Sequence, residues 1–335
     1  MKHQPTNNSR RDFIRRGSAG LAVVAASQLP TIDAQAAVIE RAMIETGEMA
    51  TAPGPGPLCL FSKHLPMLDW KELAAATRAA GFDGIDLTVR PGGHVLPERA
   101  ATDLPLAVQT IRESGLSVPM ITTGLVAASE PTAVPIISTA GQLGIPFYKT
   151  GYYKYRYANP RAEMTAAVAQ FASLATLGAR HRIVAGFHNH CGNIGGAIAD
   201  VAPAIEKLDR QWAGYYFDVR HAVCEGGAEG WRLAFHLAAP QMKMIAVKDF
   251  YWERGPQRAD GSPAWRQVNC PLGEGMVDWK LFTRLLREAA WKGPVSLHLE
   301  YPIPGKTDAE KRDNTLVAAR RDLAFLKARL AEAWS

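Results

Sequence analysis

A (β/α)8 TIM barrel, one α/β domain closed on itself, is the fold the sequence predicts, and three observations predict it. Short apolar, β-prone runs alternate strictly with helical patterns from residue 58 onward. There are eight of each, the number that closes a parallel sheet into a barrel. Polar residues stand at the downstream ends of several runs, in Phe187-His188-Asn189-His190, Phe217-Asp218-Val219-Arg220-His221, Val247-Lys248-Asp249 and Leu297-His298-Leu299-Glu300. A barrel gathers the carboxyl ends of its strands on one face, so these distant groups meet in one pocket, and the pattern predicts an enzyme.

Along the chain, residues 1–36 come first. Ser9-Arg10-Arg11-Asp12-Phe13-Ile14-Arg15-Arg16 is a twin-arginine block, Gly17 to Ser27 are small or apolar, and Ala34-Gln35-Ala36 precedes Ala37. That is a charged region, an apolar region and a small-residue cleavage site, the layout of a twin-arginine export signal. The apolar run is short of the roughly 20 residues of a membrane span. The expectation is a chain carried by the twin-arginine export machinery and resident in the periplasm. Residues 37–56 end in Pro-Gly repeats that cannot propagate a helix and read as an extended lead-in.

Residues 57–335 carry the barrel. Strands are expected near 58–62, 84–89, 117–122, 146–150, 183–188, 214–218, 243–248 and 295–300. Helices are expected near 69–80, 103–114, 130–143, 160–180, 196–210, 229–239, 278–292 and 308–332. Asp69 and Asp278 stand where amino-terminal caps belong, and Gly81, Gly115, Gly144 and Gly178 where helices stop. Residues 250–277 form one oversized active-face loop. Trp252, Trp265 and the turn Pro271-Leu272-Gly273-Glu274-Gly275 suit a lid over a sugar ring, and packing against a partner subunit in a homo-oligomer is the alternative.

Composition narrows the classes. The net charge is +6, but residues 1–36 hold five Lys or Arg and two Asp, so their removal leaves +3. There is no basic stripe with interleaved aromatics, which argues against nucleic acid as a partner. About 300 remaining residues, in a chain 47% hydrophobic, suffice for one large core. Cys59, Cys191, Cys224 and Cys270 form no zinc or redox motif. Free thiols are expected, with a Cys191–Cys224 bridge as the alternative an oxidising compartment permits.

The chemistry follows from residue types. Isomerising or epimerising a ketose needs a base for a proton α to a carbonyl and a positive group for the enolate oxygen. Glu300 is the candidate base and Asp218 a second carboxylate. His188 and His221 can donate to oxygens, and Lys248 can hold an oxyanion directly. Lys63 and His64 after the first strand, Arg90 and His94 after the second, Lys149 and Tyr153 after the fourth, and His190 after the fifth are candidate contacts to a small carbohydrate. Tyr152, Tyr155 and Tyr157 extend that aromatic cluster. Asp249 reads equally as an ion-pair partner of Lys248, and His298 as a barrel-interior histidine. The same groups would serve β-elimination from a keto-sugar or keto-glycoside, and a barrel that only binds sugar is the non-catalytic alternative.

The sequence resembles the xylose isomerase-like barrel superfamily of sugar phosphate isomerases and epimerases. The resemblance rests on Gly81-Phe82-Asp83-Gly84-Ile85-Asp86-Leu87, the His-Asn-His at 188–190, the Asp-x-x-His at 218–221, Lys248-Asp249, the Pro-Leu-Gly-Glu-Gly turn and Glu300. It implies a divalent cation held by Glu, Asp, His and Glu on strands five to eight. Carried over, Asp218 and Glu300 match, the strand-five position is His188 and the strand-seven position is Ala246. A metal set of His188, Asp218 and Glu300 would suit Mn, Zn or Fe. No organic cofactor is expected. The lack of a glycine-rich phosphate loop places phosphorylated sugars last among candidate substrates.

Overall fold

The structure is a computed structural model that describes residues 54–335. The expected signal at 1–36 and all but the end of the lead-in lie outside the described residues. Strands β1 (Leu58–Phe61), β2 (Gly84–Val89), β3 (Ser117–Thr123), β4 (Phe147–Lys149), β5 (Val184–His188), β6 (Ala213–Asp218) and β7 (Met242–Val247) follow one another in the chain. After them come a hairpin, β8 (Asp249–Gln257) and β9 (Pro263–Cys270), and β10 (Val295–Leu297). The closed barrel runs β1-β10-β7-β6-β5-β4-β3-β2, every pair parallel, with Leu58 opposite Val295 at the closure. These strands are covered on both sides, so they read as continuous apolar runs; all six residues of β2 and of β6 are buried.

Helices α1 (Trp70–Ala79), α2 (Ala100–Glu113), α3 (Ala133–Gln142), α4 (Pro160–His181), α5 (Ala202–Ile205), α6 (Val219–Ala238), α7 (Trp279–Glu288) and α8 (Asp308–Trp334) surround the barrel. Asp69 closes a capping box with Glu72, and Asp278 accepts from Leu281 N, as their positions predict. Gly81, Gly115 and Gly144 follow α1, α2 and α3 with φ of 89°, 76° and 67°, the left-handed region glycine enters without strain. Among the described residues, no helix is long and apolar enough to cross a membrane.

The structure corrects four expectations. Gly178 lies inside α4, where a Cβ would strike the Ile183 carbonyl, and Arg182 takes the left-handed cap instead. The helix expected at 196–210 shrinks to one 3-10 turn at Ile198–Asp200 and the four residues of α5, because glycines at 195 and 196 and Pro203 deny it a regular start. Helix α6 starts directly at the end of β6, ten residues before the pattern suggests, with Asp218 as its cap and a break at Gly227 (φ 59°, ψ −151°). Residues 250–277 are not a loop but mostly the antiparallel hairpin β8–β9, with Trp252 opposite Gln267.

Inside the barrel, Met120, Tyr216, Met244 and Ala246 form a small buried cluster against Phe147. Above it the filling turns polar. The buried Asp86 carboxylate accepts from Thr122 Oγ1 at 2.8 Å, Ser296 Oγ at 2.8 Å and Tyr216 OH at 3.2 Å. Tyr216 OH also meets His298 Nε2 at 3.0 Å. This layer is the floor on which the pocket stands.

Candidate active site

Each candidate side chain leaves the barrel at the carboxyl end of a strand. Lys63 follows β1, Arg90 follows β2, Thr122 is on β3, Lys149 ends β4, His188 ends β5, Asp218 ends β6, Lys248 follows β7, and His298 and Glu300 follow β10. His298 N still donates to Val247 O at 3.0 Å, so the strand direction carries Glu300 into the mouth although the ladder ends at Leu297. A pocket opens among Lys63, Arg90, Lys149, His188, Lys248 and Glu300, floored by Thr122, Tyr216 and His298 and walled by Phe61 and Tyr152. A concave site with convergent polar groups at the barrel mouth is where a small ligand would bind.

Lys248 is the centre of charge. Its Nζ lies 3.1 Å from Asp218 Oδ2 and 3.3 Å from Glu300 Oε2, and the side chain is 3% exposed. Glu300 also takes Lys63 Nζ at 3.1 Å, and His298 Nδ1 is 3.8 Å away. Burial would raise the Glu300 pKa, but Lys248, then His298 and Lys63, outweigh it and drive the carboxyl well below its ordinary range. Asp218, fully buried, is likewise held ionised against the penalty of burial, by the Lys248 ammonium and by N–H groups of His221 and His188. Asn189 fixes it from behind: the amide oxygen accepts from Asp218 N at 2.7 Å and the amide nitrogen donates to Asp218 O at 3.0 Å.

The two histidines beside Asp218 are neutral. Burial lowers His188 to about 3 and pushes His221 well below 6.5. His188 Nε2 sits 3.3 Å from Asp218 Oδ2; facing an ionised carboxylate, that nitrogen carries the proton. Arg220 Nη1 lies 3.1 Å from His221 Nδ1, and a guanidinium can only donate, so the His221 proton is on Nε2, 3.6 Å from the same Asp218 oxygen.

Of the metal set expected from the sequence, the structure brings His188 and Asp218 together, with His221 in place of Glu300. His188, Asp218 and His221 each bring a ligand atom within 4.8 Å of the others, a candidate metal site, whereas Glu300 is not part of the group. The trio has a suitable mix of imidazole and carboxylate, but its donors are committed. Both nitrogens that face Asp218 carry protons, and the Lys248 ammonium already occupies the lone-pair side of Asp218 Oδ2. Ala246 offers no ligand at all. These residues do not fit a divalent cation between Asp218 and Glu300; the ammonium stands in its place.

Other expected contacts move out of the pocket. Tyr153 is buried, donates to Val126 O at 3.0 Å and stacks on Phe187; its neighbour Tyr152 reaches the cavity. His94 is spent on the scaffold, with Nδ1 at Thr88 Oγ1 (3.3 Å) and Nε2 at Leu65 O (3.2 Å). His64 Nε2 accepts from Leu299 N at 2.9 Å and so shapes the chain next to Glu300 without lining the cavity. His190 packs on His221 at 3.9 Å between ring centroids and bonds to Asn193. Asp249 does not pair with Lys248. Its carboxylate collects Phe250 N, Gly273 N, Gly275 N, Val277 N and Trp279 Nε1 at 2.8–3.2 Å, clamping the Pro-Leu-Gly-Glu-Gly turn.

Arg220, Asn269 and Tyr216 were not singled out by the sequence as site residues. Arg220 Nε donates to Asn269 Oδ1 at 3.1 Å, and Asn269 Nδ2 donates to Glu300 O at 3.1 Å, so hairpin β8–β9 is wired to the site. The Asp-x-x-His spacing that marks 218–221 also contained Arg220. All four cysteines are free; the Cys191 thiol, lowered to about 7 by the Cys224 thiol and by Arg220, lies 3.2 Å from that guanidinium.

The family described as xylose isomerase-like TIM barrel matches residues 74–329. Solved structures share the fold at low identity. D-psicose 3-epimerase with D-tagatose from Clostridium cellulolyticum H10 is 11% identical, covering 82% of this chain and 99% of that one, with a TM-score of 0.62. A xylose isomerase-like barrel protein from Mycobacterium smegmatis in complex with magnesium is 16% identical (81% and 98% covered, TM-score 0.57). The 3-keto-D-glucoside 4-epimerase from E. coli is 15% identical (82% and 99% covered, TM-score 0.58). No curated protein matches the sequence.

Proposed function

The chain belongs to the xylose isomerase-like TIM barrel family, and from that premise we propose that it is a carbohydrate isomerase or epimerase that removes a proton next to a carbonyl. One observation carries the reading: an ionised Glu300 and a buried Lys248 ammonium, 3.3 Å apart, face the pocket at the barrel mouth. Three structural neighbours named as epimerases of sugars or keto-sugars support the substrate class.

Glu300 is the base. Its two ammonium neighbours keep it deprotonated at every working pH, which readies it but also weakens it. The enolate oxygen that forms as the proton leaves attracts Lys248 Nζ, and as the ammonium turns toward that oxygen the carboxylate regains affinity for the proton. Return of the proton to the former carbonyl carbon of the enediol, as the hydroxyl proton of the deprotonated carbon passes to the enolate oxygen, completes an isomerisation and restores both groups. His188, held neutral, lends the cavity wall a polar edge that adds no competing positive charge, and Asp218 positions Lys248. No step runs through a metal.

The experiment is Glu300→Gln with product analysis on ketoses. Turnover should fall by two to four orders of magnitude while sugar binding persists. Turnover close to wild type removes Glu300 from the role, and an unsaturated product would assign the same proton removal to β-elimination.

We further propose that residues 1–36 direct twin-arginine export, that the working form is the barrel at 57–335 in the periplasm, and that the hairpin within 250–277 covers the pocket. The twin-arginine block supports the first two, and the Asn269 bond to Glu300 O supports the third. Arg10→Lys with Arg11→Lys should strand the uncleaved chain in the cytoplasm; unchanged periplasmic yield would refute the route.

A further inference from the structure

The cations of the pocket are not equally employed. Lys63 and Lys248 are matched by Glu300 and Asp218, two charges against two. Arg90 and Lys149 face the same cavity from β2 and β4, with Thr122 of β3 between them. Among the described residues, neither has a side-chain hydrogen bond or a carboxylate within 4.0 Å. Lys149 is only 2% exposed, and its Nζ lies 3.7 Å from the Tyr152 ring centroid. The Arg90 guanidinium stands 5.6 Å from the Phe61 ring centroid. The nearest acid below them, Asp86, has its oxygens taken by Thr122, Ser296 and Tyr216.

A buried lysine without a counter-ion is costly, and two neighbouring cations that repel each other cost more. Burial, and next the Arg90 guanidinium, lower the Lys149 pKa. A cation–π contact recovers part of that cost and aims Nζ over the ring toward the cavity. What the arrangement lacks is an anion. Arg90 offers the planar fork that fits a carboxylate, Lys149 a point charge beside it, and both sit across the cavity from the Lys248–Glu300 pair.

We propose that the substrate is a small sugar acid, its carboxylate held by Arg90 and Lys149 while its carbonyl end meets Lys248 and Glu300. This rests on the carbohydrate activity proposed above and gives it a substrate class. The anion binds as a preformed group and takes no part in the chemistry. It neutralises the positive half of the pocket and fixes which carbon lies under Glu300.

The test is titration calorimetry on the full chain with D-glucuronate, D-galacturonate and D-gluconate, against D-fructose and D-tagatose and against D-fructose 6-phosphate. At least one sugar acid should bind ten-fold or more tightly than any neutral sugar, with an advantage that shrinks in high salt. Arg90→Gln and Lys149→Met should each erase that advantage, costing the sugar acid at least ten-fold more affinity than they cost any neutral sugar. Lys149→Met replaces a buried charge by an isosteric apolar chain, and Arg90 lies at the rim, so at least one variant folds. Acids binding no better than neutral sugars, a preference for the phosphate, or a preference that survives in both variants would overturn the proposal. Turnover of neutral ketoses with no acid preference would sink this inference and leave the activity standing. Acid binding that needs Arg90 and Lys149, with no turnover of any sugar, would sink the activity and leave the inference.

Discussion

The two halves of the barrel mouth solve opposite electrostatic problems. Around β5, β6, β7 and β10, charges are closed on themselves: Lys248 joins Asp218 to Glu300, two neutral imidazoles flank Asp218, and Asn189 holds its backbone. Around β2, β3 and β4, Arg90 and Lys149 are left without acids. A closed network is preorganised and needs no ligand to be stable, which suits groups that must act on a transition state. Cations left open gain only when something negative arrives, which suits recognition. On the function proposed above, one half would serve the chemistry and the other the holding.

Removing the hub of the closed half should produce the largest effect. Lys248→Met leaves Asp218 as a buried, unpaired carboxylate and takes the oxyanion partner away, so turnover should fall by about 10²–10³ and stability by several kcal/mol. Because the ammonium occupies the cation position between Asp218 and Glu300, divalent ions should not bind there in wild type. Metal analysis of the purified protein checks this directly. About one Mn, Zn or Fe per chain, with activity lost on chelation, would break the comparison at its root.

Acid should damage the closed half first. His188 has a folded pKa of about 3 against an ordinary 6.5, and burial lowers His221, His64 and His298 as well. A depressed folded value means the unfolded chain takes up protons that the folded chain refuses. For His188 the stability at stake is therefore complete above pH 6.5 and drains away as pH falls toward 3, by about 1.4 kcal/mol per pH unit. The other three rings act in the same direction. The strongly lowered carboxyl of Asp218 extends the same trend to lower pH. Denaturant titrations at pH 7.5, 6 and 5 should show steadily falling midpoints, and a flat profile would mean that these rings are solvated.

How far this contrast was legible in the sequence depends on the range of the physics involved. Alternation of β-prone and helical segments is local, and it gave all eight barrel strands within one to three residues. Which polar residues end a strand is local too, so Asp218, Lys248, Glu300, Lys149 and Arg90 were all visible. What a side chain does with its polar atoms is set by partners far along the chain, and there the reading failed. Asp249 looked like a partner for its neighbour Lys248, yet it caps a turn 24 to 28 residues downstream. Which side chains surround Asp218 was hidden for the same reason: no spacing rule shows that Lys248 would lie between two carboxylates 82 residues apart, or that His221 rather than Glu300 would join His188 and Asp218 in one cluster.

Asp249 also offers a control outside both halves. Its carboxylate is satisfied by N–H donors alone and touches no cavity group, so Asp249→Asn should cost about 2–4 kcal/mol of stability and leave the Michaelis constant for any accepted sugar unchanged. Thermal melts and initial rates on the folded fraction separate the two. A rise in the Michaelis constant without loss of stability would draw Asp249 into the site and blur the division.

The smallest effect distinguishes adjacent tyrosines. Tyr153 and Tyr152 follow β4 side by side, but one donates to Val126 O within the core and the other supports Lys149 over its ring. Tyr153→Phe loses a single hydrogen bond and keeps the stack on Phe187, so about 1 kcal/mol of stability should go and kinetics should not change. Tyr152→Leu keeps bulk but removes the cation–π contact, worth about 1–2 kcal/mol in a desolvated setting, and that loss should appear as weaker substrate binding with the catalytic constant preserved. If the two variants behaved alike, Lys149 would not depend on the Tyr152 ring, and the open half of the mouth would lose its organising contact.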